Sequence, residues 1–492
     1  MRDRPAGAGR RFPVLYQVNA RTAVRALGPD ATLDDLDDTR LDALLPPRVD
    51  WCYLLGVWQT GPTGAAVARS DPATLAECRR VLPDLSTEDL CGSCFSITDS
   101  RVHDRLGGDA ALARLRARLA RRGIALMLDF VPNHTALDHP WVALDPDRYL
   151  NGTEDDLAAA PDDWIRVGAA GTERILAHGR DPNFPGWTDT LQLDHSSPGT
   201  QAALRQQLLA AADRADGLRC DMAMLLLPEV FERTWGRPAP AFWPTAIAAV
   251  KARHPGFTFL AEVYWGLEPE LAAQGFDFTY DKDLYDHLVV DAGVRAHLSA
   301  DADAQGRTAR FLENHDEPRA AATFGTGDRH RAAAVVALLG PGMRFLQHGQ
   351  LDGWTTHVPM HLCRAPVEED QPGLRVFYDA LLAVHADPVL HDGEWRLLPV
   401  RPAWDGNPSH QAVVAFAWSD RRGVLRWLMA VNLADHRSQA YVPLPDLGLE
   451  GRELVLDDRL GPDRYERDGS TLADEGLYLD VGPWAHHAFR VG

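Results

Sequence analysis

Positive charge is scarce in this chain. Its 50 Lys and Arg are outnumbered by 70 Asp and Glu, giving a formal net charge of −20. A nucleic-acid or anionic-membrane partner would need a basic face, so neither is expected. Acidity of this kind suits solubility and is compatible with a neutral substrate. Long apolar runs are missing as well. No stretch approaches the roughly 18 residues of a membrane span. Met1–Gly7 lacks the apolar centre of a secretory signal, so none is expected. Cysteine is sparse and scattered: Cys52, Cys78, Cys91, Cys94, Cys220 and Cys363. That pattern suits free thiols in a reducing, cytoplasmic setting better than a disulfide framework. Cys91-Gly92-Ser93-Cys94 is a lone CxxC with no second Cys/His pair beside it. It supports zinc only weakly, and structural or incidental cysteines are the stronger reading over a redox or metal role. No low-complexity tract and no solenoid repeat interrupts the chain. The sequence leaves the oligomeric state open.

What is present is a repeating grammar of short apolar run, loop and Ala/Leu/Arg-rich helix. Val14-Val18, Trp51-Leu55, Ile124-Phe130, Gly217-Asp221, Phe257-Glu262, Phe276-Tyr280, Ala309-Glu313 and Met343-Leu346 read as strands. Ala110-Arg122 places Leu112, Leu115 and Leu119 at helical spacing, and Pro198-Ala215 opens on a Ser-Pro-Gly start signal. Eight strands alternating with helices predict an α/β fold, a (β/α)₈ TIM barrel. One connection is too long for a simple crossover: residues 135–197, rich in Asp, Gly, Pro and Trp, predict a small lobe inserted after the third strand. Beyond residue 390, β-like runs at Gln411-Trp418, Val424-Asn432, Ala440-Val442 and Glu453-Leu456 alternate with turns. They predict a C-terminal antiparallel β-sandwich over 391–492. The barrel then occupies 1–134 and 198–390.

Three acids stand at the ends of apolar runs: Asp221, Glu262 and Asp316. A carboxylate there is costly to desolvate unless it is paired or used, and three in series suggest one site at the C-terminal rim. Arg219 and Asp221 are two apart and share one face of a strand, so the guanidinium keeps the carboxylate ionised. The alternative is a structural ion pair. Glu262 follows a nearly uncharged run, an apolar surround that suits a general acid; the alternative is a solvent-facing loop residue. Tyr264 and Trp265 follow at once, and Trp265 is placed to pack on a sugar. Asp129 and His134, in Asp129-Phe130-Val131-Pro132-Asn133-His134, read as an orienting carboxylate and a hydrogen-bond donor, or else as a satisfied core Asp and a capping His. His315 with Asp316 is suited to gripping vicinal hydroxyls. Trp58, Trp141, Trp187, Trp243, Trp265 and Trp354 fall in or near strand-to-helix loops, though core packing is the commoner use of any one Trp.

These four motifs, in this order and at strand ends, resemble the α-amylase family of retaining glycoside hydrolases. Tyr16-Gln17-Val18-Asn19 and Leu191-Gln192-Leu193-Asp194 are similar to that family's secondary motifs. The resemblance spans the whole chain. It implies Asp221 as nucleophile, Glu262 as acid/base and Asp316 as transition-state stabiliser. It implies that Asp129, His134, Arg219 and His315 line the subsite of the attacked sugar, with Asp99 and Trp265 as further substrate contacts. The implied substrate is an α-linked gluco-oligosaccharide, and no cofactor is required. Calcium enters only through Asn133, the one position matching a ligand of the family. Retention implies Asp221 and Glu262 carboxyl groups about 5–5.5 Å apart.

The sequence departs from the family pattern in places. Ile97-Thr98-Asp99-Ser100 puts Ser100 where the family carries a Tyr, which predicts loss of an aromatic platform unless a nearby aromatic or His103 substitutes. Met222-Ala223-Met224-Leu225 is wholly apolar where starch-degrading members carry Lys-His, so an apolar acceptor side is expected. Three functions remain: hydrolase, α-glucosyl transferase or isomerase, and an inactive sugar-binding barrel.

Overall fold

In the computed structural model, which describes residues 9–168, 173–444 and 446–492, eight parallel strands close into a barrel. They are β1 (Val14–Asn19), β2 (Trp51–Leu55), β3 (Ala125–Phe130), β4 (Gly217–Cys220), β5 (Thr258–Ala261), β6 (Phe278–Tyr280), β7 (Thr308–Arg310) and β8 (Met343–Gln347). Each pairs with its neighbour in chain order, and β8 returns to β1 with Arg344 opposite Val14. Met1–Gly7, where no secretory signal is expected, lies outside the described residues. No helix among the described residues is long and apolar enough to cross a membrane.

The strands are near-continuous apolar runs because both faces are covered. In β4, Leu218 and Cys220 are fully buried and alternate with Arg219, which is also wholly buried. Beneath the rim, aromatic rings meet edge to face: Tyr280 with Phe311 and Phe345, and Tyr53 with Phe345. This layer is the floor on which the polar groups of the rim rest. The helix Gly108–Arg121 covers the barrel through Leu112, Leu115 and Leu119, all at most 1% exposed.

Two excursions rise from the rim. The expected lobe after β3 contains two small antiparallel pairs, His134–Ala136 with Thr190–Gln192 and Trp164–Val167 with Arg174–Ala177. A second excursion, after β2, was not foreseen. Its hairpin Trp58–Thr60/Ile97–Val102 encloses helices Pro62–Ser70 and Pro72–Val81. It leans on the loop after β8 through the apolar group Cys78, Leu82, Leu90 and Leu362.

The C-terminal region is two antiparallel sheets, as the turn-punctuated runs predict. The larger orders Glu394–Leu397, Val413–Ser419, Leu425–Asn432, His486–Val491, Glu453–Asp458 and Arg464–Asp468; the smaller holds Arg401–Pro402, Ser438–Val442 and Leu477–Val481. Alternation splits the larger sheet's side chains. Phe416, Trp418, Trp427 and Met429 join the barrel's core, while Ala415, Ala417, Leu428 and Ala430 face the smaller sheet. Trp418 fixes the junction, with its ring 5.4 Å from Phe12 and its indole N–H donating to Leu339 O at 2.9 Å. One short helix, Gly469–Asp474, interrupts a region where none was expected.

Candidate active site

Asp221 and Glu262 each follow the last paired residue of their strand, β4 and β5. The backbone carries them inward: Asp221 N–H donates to Phe130 O at 2.8 Å, and Glu262 N–H to Cys220 O at 3.0 Å. Met222 then turns with φ 42°, a left-handed conformation that is strained for a side chain of its size. Backbone strain of this kind costs about 1–3 kcal/mol and gathers at functional sites. Here it aims the Met222 N–H at Glu262 Oε2, 2.7 Å away.

Arg219 is the hub. Its Nη1 donates to Asp221 Oδ1 at 2.8 Å and lies 3.5 Å from Asp129. Its Nη2 lies 2.7 Å from Glu262 Oε2, an ion pair without an aligned hydrogen bond, and 4.0 Å from Asp316. Its Nε donates to Tyr280 Oη at 3.3 Å. Burial works against this charge, but Glu262, Tyr280, Tyr53 and Asp221 around it hold the guanidinium firmly protonated. Four carboxyl groups therefore share one cation, and they do not all ionise freely. Burial raises Asp129 to about 6, with Arg219 and the Tyr53 hydroxyl (2.5 Å) pulling it back. Burial also pushes the Asp221 carboxyl well up, aided by Glu262 and Asp129 and opposed by Arg219.

Glu262 is held differently from the expectation. Its surround is polar, not apolar: Oε2 meets Met222 N–H and Arg219, and Oε1 accepts from Tyr264 Oη at 2.8 Å. Asp316 is the open member, its side chain 31% exposed. His315 lies beside it, with Nε2 3.1 Å from Asp316 Oδ2 and Nδ1 3.0 Å from the Gln17 amide nitrogen. Burial, then Arg219, drives His315 far below its ordinary value, so the ring is neutral. With the Gln17 amide N–H donating to Nδ1, the ring proton is assigned to Nε2, which lies near Asp316 without an aligned hydrogen bond.

An aromatic face is present after all. Phe95, from the unforeseen excursion, places its ring centroid 5.3 Å from His315 and 5.3 Å from the Arg219 guanidinium. It lies five residues before Ser100, just ahead of the short, half-polar strand Ile97–Val102. The structure does not bring Asp99 to this group. Asp99 is exposed on the hairpin and pairs with Arg101 at 3.2 Å. His134 is buried against Trp187 and hydrogen-bonds the Phe95 backbone, and burial lowers it to about 4. It therefore borders the group through Phe95. Trp265 stands exposed at the rim, 41%, with φ 67° and the Arg233 guanidinium 5.7 Å from its ring. Of the other tryptophans, Trp58 and Trp243 are core.

The segment expected to wall an apolar acceptor side does not do so. Ala223, Met224, Leu225 and Leu226 form a short 3₁₀ turn and are at most 3% exposed, packed into the core; only Met222 is half-buried. Asn133 does not fit a calcium site. Its amide is closed in a reciprocal pair with Gln192, at 2.9 and 3.1 Å, and calcium needs six to eight oxygen ligands. Among the described residues the only cluster of three His, Cys, Asp or Glu with ligand spacing is Asp458, Asp463 and His487, in the C-terminal region. Cavities of about 640 and 600 Å³ lie at the opposite end of the barrel and include none of the converging acids.

No protein-family model matches the chain, and no curated protein matches it by sequence. Solved structures do. A maltogenic alpha-amylase from Thermotoga neapolitana is 16% identical, with a TM-score of 0.67 over 98% of this chain and 99% of that one. An alpha-amylase from Geobacillus thermoleovorans, complexed with acarbose, is 16% identical, with a TM-score of 0.68 over 100% and 99%. An inactive double mutant of MutB, in complex with isomaltulose, is 16% identical, with a TM-score of 0.68 over 98% and 99%. At these identities the likeness establishes a shared fold along the whole chain.

Proposed function

We propose that this chain belongs to the α-amylase family and cleaves α-glucosidic bonds of gluco-oligosaccharides with retention. The observation that carries the reading is the seating of Asp221 and Glu262 on the two terminal nitrogens of one buried guanidinium, with Asp316 4.0 Å from one of them and partly open. Asp221 attacks the anomeric carbon while Glu262 protonates the departing oxygen, giving a covalent glycosyl-enzyme. Glu262 then takes a proton from water, and the sugar leaves with its original configuration. Arg219 opposes the burial that disfavours the Asp221 anion. Asp316, with the Nε2–H of His315 beside it, grips ring hydroxyls, an interaction that strengthens as the ring flattens. Phe95 offers a flat apolar face to that ring, and Trp265 offers a second face on the outer, acceptor side.

Transfer to a second sugar remains the alternative chemistry, since solved structures of this fold include a trehalulose synthase. Its support from an apolar acceptor wall is gone, because Ala223–Leu226 are core. The test is incubation with maltoheptaose and with α-glucosyl fluoride. Shorter sugars and fluoride release support hydrolysis. Oligomers longer than the substrate indicate transfer. Silence with both substrates overturns the reading in favour of an inactive sugar-binding barrel.

A further inference from the structure

The lone CxxC has a partner, but not within itself. Cys91 lies on the excursion after β2, and Cys363 on the loop after β8. The two segments run antiparallel: Leu90 bridges Leu362, Cys91 N–H donates to His361 O at 2.9 Å, and Cys363 N–H donates to Asp89 O at 2.9 Å. Arg364 clamps the pair by a fork onto Asp89, both contacts 2.8 Å. The register sets Cys91 opposite His361 and Cys363 opposite Asp89, so the two thiols are diagonal neighbours on one face of this short ladder; the Cys363 thiol donates to Glu88 O at 3.3 Å and the Cys91 thiol to His361 O at 3.4 Å. Both residues are half-buried, whereas Cys94 is 3% exposed and burial holds its thiol protonated.

Arg21 makes Cys91 unlike the other five cysteines. This guanidinium is 6% exposed, and its Nη1 lies 3.2 Å from Cys91 Sγ. Its other hydrogen bonds go to neutral groups, Gly92 O at 2.8 Å and Thr60 Oγ1 at 3.3 Å. Among the described residues no carboxylate lies within ion-pair distance of it. A buried cation without a counter-ion is costly, and the Cys91 sulfur is the group in contact that can carry the balancing charge. The neighbouring Cys363 thiol, then Arg21, lowers the Cys91 thiol to about 6.

We propose that Cys91 and Cys363 are a reversible thiol–disulfide pair that reacts with small disulfides of the glutathione class and staples the two loops together at the barrel mouth. The Cys91 thiolate attacks one sulfur of the small disulfide, forming a mixed disulfide and releasing one thiolate. Until then Cys363 is held protonated, chiefly by the Cys91 sulfur near it and by burial. Capping Cys91 removes that hold. Cys363 then loses its proton to the released thiolate, attacks Cys91 Sγ and expels the second small thiolate, which takes a proton from water. Two protein thiols become one disulfide, and one small disulfide becomes two thiols. The bond deprives Arg21 of its counter-ion. The reduced form is thereby favoured, which keeps the staple easy to reopen.

The test treats the reduced full-length chain with oxidised glutathione at pH 7 and maps peptides by mass spectrometry. The expected product is a Cys91–Cys363 crosslink. In Cys363→Ser the reaction stops at a glutathione adduct on Cys91. Iodoacetamide labels Cys91 ahead of the other cysteines, and Arg21→Gln slows that labelling by about tenfold at pH 7, a gap that closes near pH 9. A Cys91–Cys94 crosslink, or a persistent glutathione adduct in the unaltered chain, overturns the pairing. Labelling of Cys91 no faster than of Cys363 overturns the activation, and this reading needs only the unaltered chain should Arg21→Gln not fold.

Discussion

Arg219→Met tests whether one guanidinium carries the charge balance of the site. Arg219 is wholly buried and contacts Asp221, Glu262, Asp129 and Asp316 at 2.8, 2.7, 3.5 and 4.0 Å. Methionine fills much of the same volume without charge. Removing one partner of a buried ion pair costs roughly 3–5 kcal/mol. At about 1.36 kcal/mol per unit, that equals roughly two to four units of further rise shared among the carboxyls. The sign follows from linkage. A carboxyl whose folded value exceeds its unfolded value favours the fold when protonated. For Asp129, with 3.8 as its ordinary value and about 6 in the fold, that contribution is complete below 3.8 and is lost as pH rises through 6. In the variant the loss runs further, so its deficit against the parent chain is small at acid pH and reaches roughly 3–5 kcal/mol near pH 8. Urea unfolding of both chains at pH 4.5 and pH 8 reads this directly. Turnover of α-glucosyl fluoride falls at least about 100-fold at pH 7, and its rising limb moves to higher pH. An equal stability deficit at both pH values, or an unmoved limb, refutes the reasoning.

Other outcomes follow from single residues. Glu313 is fully buried, and burial raises it to about 7 from 4.5 against the pull of Arg319, 3.1 Å away. Roughly 3 kcal/mol of stability present below pH 4.5 is therefore lost as pH climbs through 7; Glu313→Gln flattens that slope in pH-dependent denaturation, and an unchanged slope contradicts the assignment. Phe95→Leu keeps apolar volume but removes the ring, raising KM for maltoheptaose about fivefold, about 1 kcal/mol; an unaltered KM removes Phe95 from the sugar site. Asp99→Ala breaks an exposed ion pair and an exposed backbone hydrogen bond, both with Arg101, so stability changes by about 1 kcal/mol or less and turnover stays put; a large loss of turnover returns Asp99 to the site.

The barrel was legible because parallel strands covered on both faces leave uninterrupted apolar runs, and the acids that end those runs stand out against them. Strand limits shifted by one to three residues except in β2, which spans Trp51–Leu55 as expected: β7 pairs only over Thr308–Arg310, while Phe311–Glu313 continues inward beyond the ladder. The excursion after β2 escaped because its hairpin is short and half-polar, Ile97–Val102 carrying Thr98, Asp99, Ser100 and Arg101. Phe95 escaped with it. Met222–Leu225 misled for the opposite reason: apolar residues beside Asp221 look like a wall of the site, and only three-dimensional burial distinguishes wall from core. The polar cradle of Glu262 was invisible because two of its three contacts depend on turns, the left-handed Met222 and the bend that folds Tyr264 back. The thiol pair joins residues 272 positions apart, a separation no local spacing betrays.

The most direct measurement is capture of the covalent intermediate. A 5-fluoro-α-glucosyl fluoride is incubated with the full chain, and the labelled peptide is sequenced by mass spectrometry. One fluoroglucosyl group on Asp221 is the predicted result, absent from Asp221→Ala and accompanied by loss of turnover. Label on another carboxylate, or steady turnover without any adduct and with inverted product, contradicts the assignment of Asp221 and Glu262.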